Sequence, residues 1–545
     1  MTFPLKGHAR HTGRTSEFLS EPFLSEPSVQ RRPASGDQPS AGKKPLRVLK
    51  FGGTSVGDAG AIERVIEIVR SATRESNIAV VVSAMAGVTN KLVAAARHSQ
   101  AGDSTAVSAI FEELRRKHTA AAAALIDSDE EGRMLCQKLE QLLQAGERLC
   151  AGTVLLRELT PRTEDAISSL GERLSVLLVA AALTERGLPS AAIEATDLIV
   201  TDELHGGANP FMDLSRDRSQ MRLRPLLQRG IVPVITGFIG ATVEGVLTTL
   251  GRGGSDYSAT ILGAALDADE VIIWTDVDGL ETADPRLVPE ARTIPHISYR
   301  EAAELAHFGA KVLHPKTLRA IMQCGVPLWI RNTFAPEQLG TTITPAGPPS
   351  VAGVKALTAI ADVAMLGIGG PGFDGAEDIL ARTFKAMAAA HADVLLMAQA
   401  SSQNDLRLIA SSGAANAAVS ALRLEFARES VHESDKLITL HPNVALVTVV
   451  GQKMNSSPNI VGRTLRALGR QNINILAMSQ SPSEFSFSFV VAQQDMQPAL
   501  AGIHKEFRLG SLPMNEPLGD SETGVGHLFP PSDCPQISQL ADQGD

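Results

Sequence analysis

The chain has 545 residues, enough for three or four cores at roughly 150 residues each. Its 44% hydrophobic and 20% charged residues are the balance of a globular protein, and with 4% aromatics the cores must rest on Ala, Leu, Val and Ile. A net charge of −10 argues against a general nucleic-acid binder, though not against a local basic pocket for an anionic ligand.

Residues 1–45 are rich in Ser, Pro, Gly and Arg and repeat the run FLSEP at Phe18–Pro22 and Phe23–Pro27, which predicts a disordered tail. They contain no apolar stretch of the secretory type, and Glu17, Glu21, Glu26 and Asp37 argue against a transit peptide. From Leu46 to about Thr344, short β-branched runs alternate with helical stretches. Strands are predicted at Leu46–Phe51, Ile78–Ser83, Ala191–Ala195, Ile231–Thr236, Val271–Trp274 and Pro327–Ile330. Helices are predicted at Ala59–Ala72, Ala106–Leu125, Glu130–Leu156, Ser168–Arg186, Ser255–Ala265 and His314–Cys324. This alternation implies an α/β fold with a mainly parallel sheet covered by helices on both faces. No apolar run reaches the ~18 residues that span a bilayer. Ala-rich stretches such as Val176–Leu183 read as parts of amphipathic helices.

The rest of the chain repeats itself. A shift of 81 positions aligns Val363-Ala364 with Val444-Ala445, Arg382-Thr383 with Arg463-Thr464, and Gln399 with Gln480. Each copy reads strand, glycine turn, helix, strand, turn, strand, so two small α+β modules that pack on each other are expected. From Gly510 the chain again reads as a loose tail. The four cysteines, Cys136, Cys150, Cys324 and Cys534, are too few and too scattered for a disulfide framework or a zinc site, and read as isolated thiols of a reducing cytosol.

Several segments carry possible chemistry. Lys50-Phe51-Gly52-Gly53-Thr54-Ser55 follows a strand and precedes a helix. It reads either as a plain turn or as a loop whose amides approach a phosphate, and it is no Walker A motif. Gly251-Arg252-Gly253-Gly254-Ser255-Asp256 offers a second glycine loop, with Ser255 expected to cap the following helix. Trp274-Thr275-Asp276-Val277-Asp278-Gly279 ends an apolar strand, where ligands of open α/β sheets bind, and lacks the spacing of a calcium loop. Gly309-Ala310-Lys311-Val312-Leu313-His314-Pro315 places a lysine before a helix; a solvated surface lysine is the plain alternative. Gly367-Ile368-Gly369-Gly370-Pro371-Gly372 matches a dinucleotide fingerprint, but Pro371 and Asp374 crowd its turn and the second repeat lacks the pattern, which argues against it.

In this order, over about Leu46 to Phe507, these segments closely resemble the aspartate kinase family. The resemblance implies an α/β/α amino-acid-kinase domain at 46–345, followed by ACT regulatory modules at 346–430 and 431–509. It implies transfer of the γ-phosphoryl group of ATP, with Mg²⁺, to the β-carboxylate of L-aspartate. Lys50, Asp256 and Lys311 match its catalytic positions. Thr89, Glu172, Phe238, Arg252, Gly253, Gly254 and Ser255 match substrate positions, with Glu172 set against the α-ammonium and Arg252 against the α-carboxylate. Lys50, Phe51, Gly52, Gly53, Ser55, Thr275, Asp276, Arg286, Lys311 and Val312 match ATP positions, and Glu281 stands where most relatives carry Tyr.

Gln399 and Gln480 match glutamines of threonine-responsive members, with Asn474 beside them, so a feedback amino acid, threonine or lysine, is the implied effector. Gln403-Asn404-Asp405 departs from the family, which puts the first of the two effector sites in doubt. A kinase for glutamate or N-acetylglutamate and a catalytically dead amino-acid sensor are the competing readings. Against the first stand Glu172, Arg252 and the paired repeats; against the second stand Lys50, Asp256 and Lys311. Some relatives carry a fused homoserine dehydrogenase, and no strand, glycine turn and helix of that kind follows Gly510, so a monofunctional enzyme is expected. The remaining expectations are a cytoplasmic homodimer or larger homo-oligomer with no nucleic-acid or membrane partner.

Overall fold

The computed structural model describes residues 44–511, apart from 310–311, 349–352, 370–375, 400–405, 428–437, 455–458 and 482. Lys311, the Gln403–Asp405 departure, the second half of the glycine fingerprint and nearly all of both tails therefore lie outside the described residues.

The first part begins β1 (Leu46–Phe51), α1 (Ala59–Glu75), β2 (Asn77–Val82), α2 (Val88–Ala101), α3 (Ser104–Leu125) and α4 (Asp129–Leu156). Next come α5 (Pro161–Ser168), α6 (Leu170–Glu185), β3 (Ser190–Ile193), α7 (Met212–Gln228) and β4 (Val232–Thr236). A small hairpin, β5 (Ile239–Ala241) and β6 (Leu247–Thr249), leads to α8 (Gly254–Ala265) and β7 (Glu270–Thr275). The part closes with β8 (His296–Ser298), α9 (Tyr299–His307), α10 (Pro315–Met322), β9 (Leu328–Asn332) and β10 (Thr341–Thr344).

Eight of these strands form one sheet in the order β3-β4-β2-β1-β7-β9-β10-β8, parallel throughout except between β9 and β10. Alternate side chains of each central strand enter opposite cores, as a period of two requires. Leu49, Phe51, Val80, Val82 and Trp274 face the core under α1 to α6. Val48, Ala79, Val81, Ile235 and Ile273 face the core under α7 to α10. The expected layered α/β architecture is thus present.

Helix α6 departs from expectation. With α5 it makes a stretch, Pro161–Glu185, long and apolar enough by length and composition to cross a membrane, yet its most apolar 18-residue window is 78% buried inside the protein. Its buried residues fall on every side because it lies between α4 and the strands β3 and β4, so it is a core helix rather than an amphipathic one.

The second part runs β11 (Val354–Ile368), α11 (Ala376–Ala389), β12 (Val394–Gln399), β13 (Leu406–Ser411) and α12 (Ser412–Glu425). The other copy is β14 (Ile438–Gly451), α13 (Ile460–Gly469), β15 (Ala477–Gln480), β16 (Ser486–Ala492) and α14 (Met496–Glu506). Each copy thus ends in a helix beyond the elements expected from sequence. The modules do more than pack together: their strands make one antiparallel sheet, β12-β13-β11-β14-β16-β15. β11 and β14 pair over nearly their whole length, so each long strand serves both halves. The edge strands β12 and β15 come together over a common core that includes Leu396, Val363, Val444 and Ala477.

The repeat persists to single contacts. Arg382 Nε donates to Glu425 at 3.1 Å and its guanidinium lies 4.5 Å from the Phe426 ring; Arg463, Glu506 and Phe507 repeat this at 3.2 and 4.3 Å.

Candidate active site

Parallel strands β1, β2, β4 and β7 all end on one side of the sheet, and the chain leaves them in glycine turns. The Gly52 amide donates to Trp274 O at 3.0 Å, Ser83 to Phe51 O at 3.1 Å, and Gly237 to Val82 O at 2.8 Å, so the turns begin side by side. They border a cavity of about 660 Å³ lined by Lys50, Gly53, Thr89, Glu172, Phe238, Arg252, Gly253, Gly254, Ser255 and Asp256 among others. Residues spread over more than 200 positions of sequence therefore share one wall.

Lys50, 7% exposed at the end of β1, pairs with Asp256 in the first turn of α8, Nζ to Oδ1, at 2.5 Å. Glu172, in the first turn of α6, is 4% exposed. Its Oε1 accepts the Ala84 amide at 3.1 Å, while Oε2 is buried without a partner among the described residues. Burial pushes this carboxyl up to about 8, against the pull of the Ala84 amide and the Lys50 charge. Arg252 is exposed, and its guanidinium makes no ion pair or hydrogen bond with the described residues. A buried carboxylate oxygen lacking a donor and a free guanidinium on the same cavity are complementary to an ammonium and a carboxylate carried by one small molecule.

The turn before α8 differs from expectation in one respect. Gly253, not Ser255, caps the helix, with φ of 72°, and a Cβ there would lie 2.6 Å from that of His314. Only glycine meets both conditions, so the cap moves two residues upstream. Phe238 also has a positive φ, 70°, uncommon for an aromatic residue, and it lines the same cavity.

Of the residues matched to ATP positions, Phe51, Gly52, Gly53, Ser55, Thr275 and Asp276 stand at or just beyond the ends of β1 and β7. Phe51 is fully buried and stacked on Trp274, so only its backbone can face a ligand. Ser55 is fully buried as well and bonds Thr333 Oγ1 at 2.7 Å. Thr275 Oγ1 donates to Asp276 at 3.2 Å, Arg286 pairs with Asp284 at 2.6 Å, and Val312 packs on the core beneath α10. Glu281 bridges to Thr293 and is half-buried; burial, then Asp278 and Asp284, push its carboxyl up.

Three site residues escaped the sequence reading. Asp165 and Thr249 line the cavity, and His314, which caps α10, presses on Gly253. Burial and the Lys316 and Arg252 charges hold the His314 imidazole below its usual range. Only the histidine stood in a motif already singled out; the other two have contacts 40 to 84 positions away.

Gln399 and Gln480 do not reach the cavity. They are the exposed last residues of the edge strands β12 and β15, opposite Leu406 and Phe487, and Asn474 is exposed nearby. The turn after Gln480 and the start of β16 are tied to the first part of the chain: Ser483 and Ser486 each donate to Glu304 of α9 at 2.7 Å.

The fold and the glycine turns at its strand ends are those of the amino acid kinase family, whose model matches residues 45–332, while residues 447–507 match an ACT domain. The chain is 30% identical to aspartokinase 1, chloroplastic, of Arabidopsis thaliana, covering 80% of that protein, and belongs to the aspartokinase family. It is 32% identical over 477 residues to the bifunctional aspartokinase/homoserine dehydrogenase of Haemophilus influenzae. This chain spans about half the length of the bifunctional relatives it matches, 56% in that case. Among solved structures, E. coli aspartokinase III in complex with aspartate and ADP (R-state) superposes with a TM-score of 0.71 and 28% identity, covering 85% of this chain and 99% of that one. Its complex with lysine and aspartate (T-state) gives 0.69.

Proposed function

We propose that the chain transfers the γ-phosphoryl group of ATP to the β-carboxylate of L-aspartate, forming 4-phospho-L-aspartate. This is the first step of lysine, threonine and methionine biosynthesis, and we place it in the cytoplasm. The observation that carries the reading is the shared cavity of Glu172 and Arg252, which suits an α-amino acid, next to the Lys50–Asp256 pair. The aspartate and ADP bound by E. coli aspartokinase III support the same assignment.

Both reactants are anions, so the site must neutralise charge at the transferring group. Lys50, with Lys311, is proposed to do this, and the N-terminus of α8 would add its dipole. Asp256 orients Lys50 rather than taking a proton, because a carboxylate nucleophile with a solution pKa near ~4 is ionised already. Gly52, Gly53, Thr275, Asp276, Arg286 and Val312 are proposed to bound the nucleotide, with Glu281 altering its ribose side. Mg²⁺ typically binds through phosphates, waters and one or two carboxylates. Asp256, whose carboxylate lines the cavity beside Lys50, would be the residue to hold such an ion. When bound, the ion would supply charge neutralisation at the phosphates.

The modules of the second part are proposed to bind a feedback amino acid, threonine or lysine, near Gln399, Asn474 and Gln480. A homodimer or larger homo-oligomer through their open sheet edges belongs to the same proposal. Hydroxylamine trapping tests the core of it. Purified full chain with Mg-ATP should form hydroxamate with L-aspartate and not with glutamate or N-acetylglutamate. Hydroxamate from glutamate alone, or from no amino acid, overturns the assignment.

A further inference from the structure

The cavity wall holds a second buried carboxylate that this chemistry leaves unused. Asp165 of α5 is 3% exposed. It accepts the Gly206 amide at 3.1 Å, the Thr249 amide at 3.2 Å, the Thr249 hydroxyl at 2.5 Å and His205 Nδ1 at 2.8 Å. Its donors come from two turns far apart in sequence. Thr249 ends β6 and leads through Leu250 and Gly251 to Arg252, while Gly206 lies in the loop before α7.

The two turns are pressed together around this anchor. The Ala208 amide donates to Thr249 O at 2.8 Å. Gly251 has φ of 78°, and a Cβ on it would lie 2.9 Å from Gly206 O. Lys316 of α10 adds a bond to Gly207 O at 3.2 Å. An Asp–His pair beside a threonine hydroxyl has the membership of a nucleophilic triad, but the hydroxyl bonds the carboxylate and not the imidazole. The threonine is therefore held, not activated.

We propose that Asp165 is a positioning residue for the amino-acid substrate: by gripping Gly206 and Thr249 it fixes the turn that carries Arg252. The proposal rests on the reading of Arg252 as the partner of the α-carboxylate. A buried carboxylate accepting several N–H bonds is a stiff anchor, and a guanidinium on an exposed side chain needs one if its fork is to meet a carboxylate in register.

The test uses Asp165→Asn in the full chain, which keeps the shape but points an NH₂ group at existing donors. The KM for aspartate should rise about tenfold or more while the KM for ATP stays within about twofold. Hydrogen exchange should quicken at 201–209 and 247–253 but not in β1 or β2. Thr249→Val, which removes only one of the bonds, should shift both readouts the same way by less, and carries the test if Asp165→Asn does not fold. A lowered kcat with unchanged KM for aspartate, or an equal rise in both constants, overturns the proposal. Should the wild-type chain turn over no aspartate, the functional assignment fails separately. Exchange then still decides the role of Asp165: local acceleration supports it, and uniform or absent acceleration overturns it.

Discussion

At Glu172, burial favours the protonated acid while a bound ammonium would favour the carboxylate, and the balance between them governs both stability and affinity. The free group titrates near 8, above the ~4.3 of an exposed glutamate. Between those values the folded chain holds a proton that the unfolded chain has lost, so the stability it lends at low pH disappears as pH rises through about 8. Glu172→Gln should therefore melt increasingly above the wild type from pH 5 to pH 8, by up to about 1.4 kcal/mol per pH unit. Parallel melting curves would refute the burial account. Aspartate binding near pH 7 should also release a proton, visible as a binding enthalpy that depends on the buffer. Glu172, Lys50 and Arg252 were legible in sequence only through their motifs. Asp165 was not, because its meaning lies in partners at 205, 206 and 249 that the fold alone brings to it.

At the scale of elements, β1 to β4, β7 and β9 were legible because buried parallel strands read as continuous apolar runs, whereas β5, β8 and β10, three or four residues each, are too short to show a pattern. Helix α7 was not, since its buried face is Ser215, Ser219 and Leu223, two hydroxyls where periodicity looks for apolar side chains. Helix α9 joins the two parts. Glu304 is held by Ser483 of the turn that follows Gln480 and by Ser486 at the start of β16, and Glu301, fully buried on the same helix, pairs with Lys355 of β11 at 2.8 Å. The helix ends at His307, just ahead of the segment that carries Lys311, so α9 is the element through which a ligand at the turn would act on the catalytic part. Glu304→Ala should raise the effector concentration for half-inhibition about fivefold or more, with uninhibited activity within about twofold. An unchanged inhibition curve would remove α9 from the coupling path.

Across the whole molecule, the 81-residue repeat was visible in the sequence, but not that its halves share strands: pairing between β11 and β14 is a long-range property that leaves no local pattern. Because each long strand belongs to both halves, the modules should open together. Leu408→Ala, in the fully buried core of the first half, should cost about 2–5 kcal/mol. It should quicken amide exchange in β16 as much as in β13; acceleration confined to β13 and α12 would mean two independent modules. The central claim joins all three scales, since the sheet ends, the helix starts and two side chains must together read an α-amino acid. It is tested most directly by hydroxamate formation from aspartate and from succinate, which lacks the ammonium, on the wild type and on Glu172→Gln. The wild type should prefer aspartate by at least about a hundredfold in kcat/KM, and the variant by less than about tenfold. A variant that keeps the full preference would show that Glu172 does not read the ammonium, and the account of this site would be wrong.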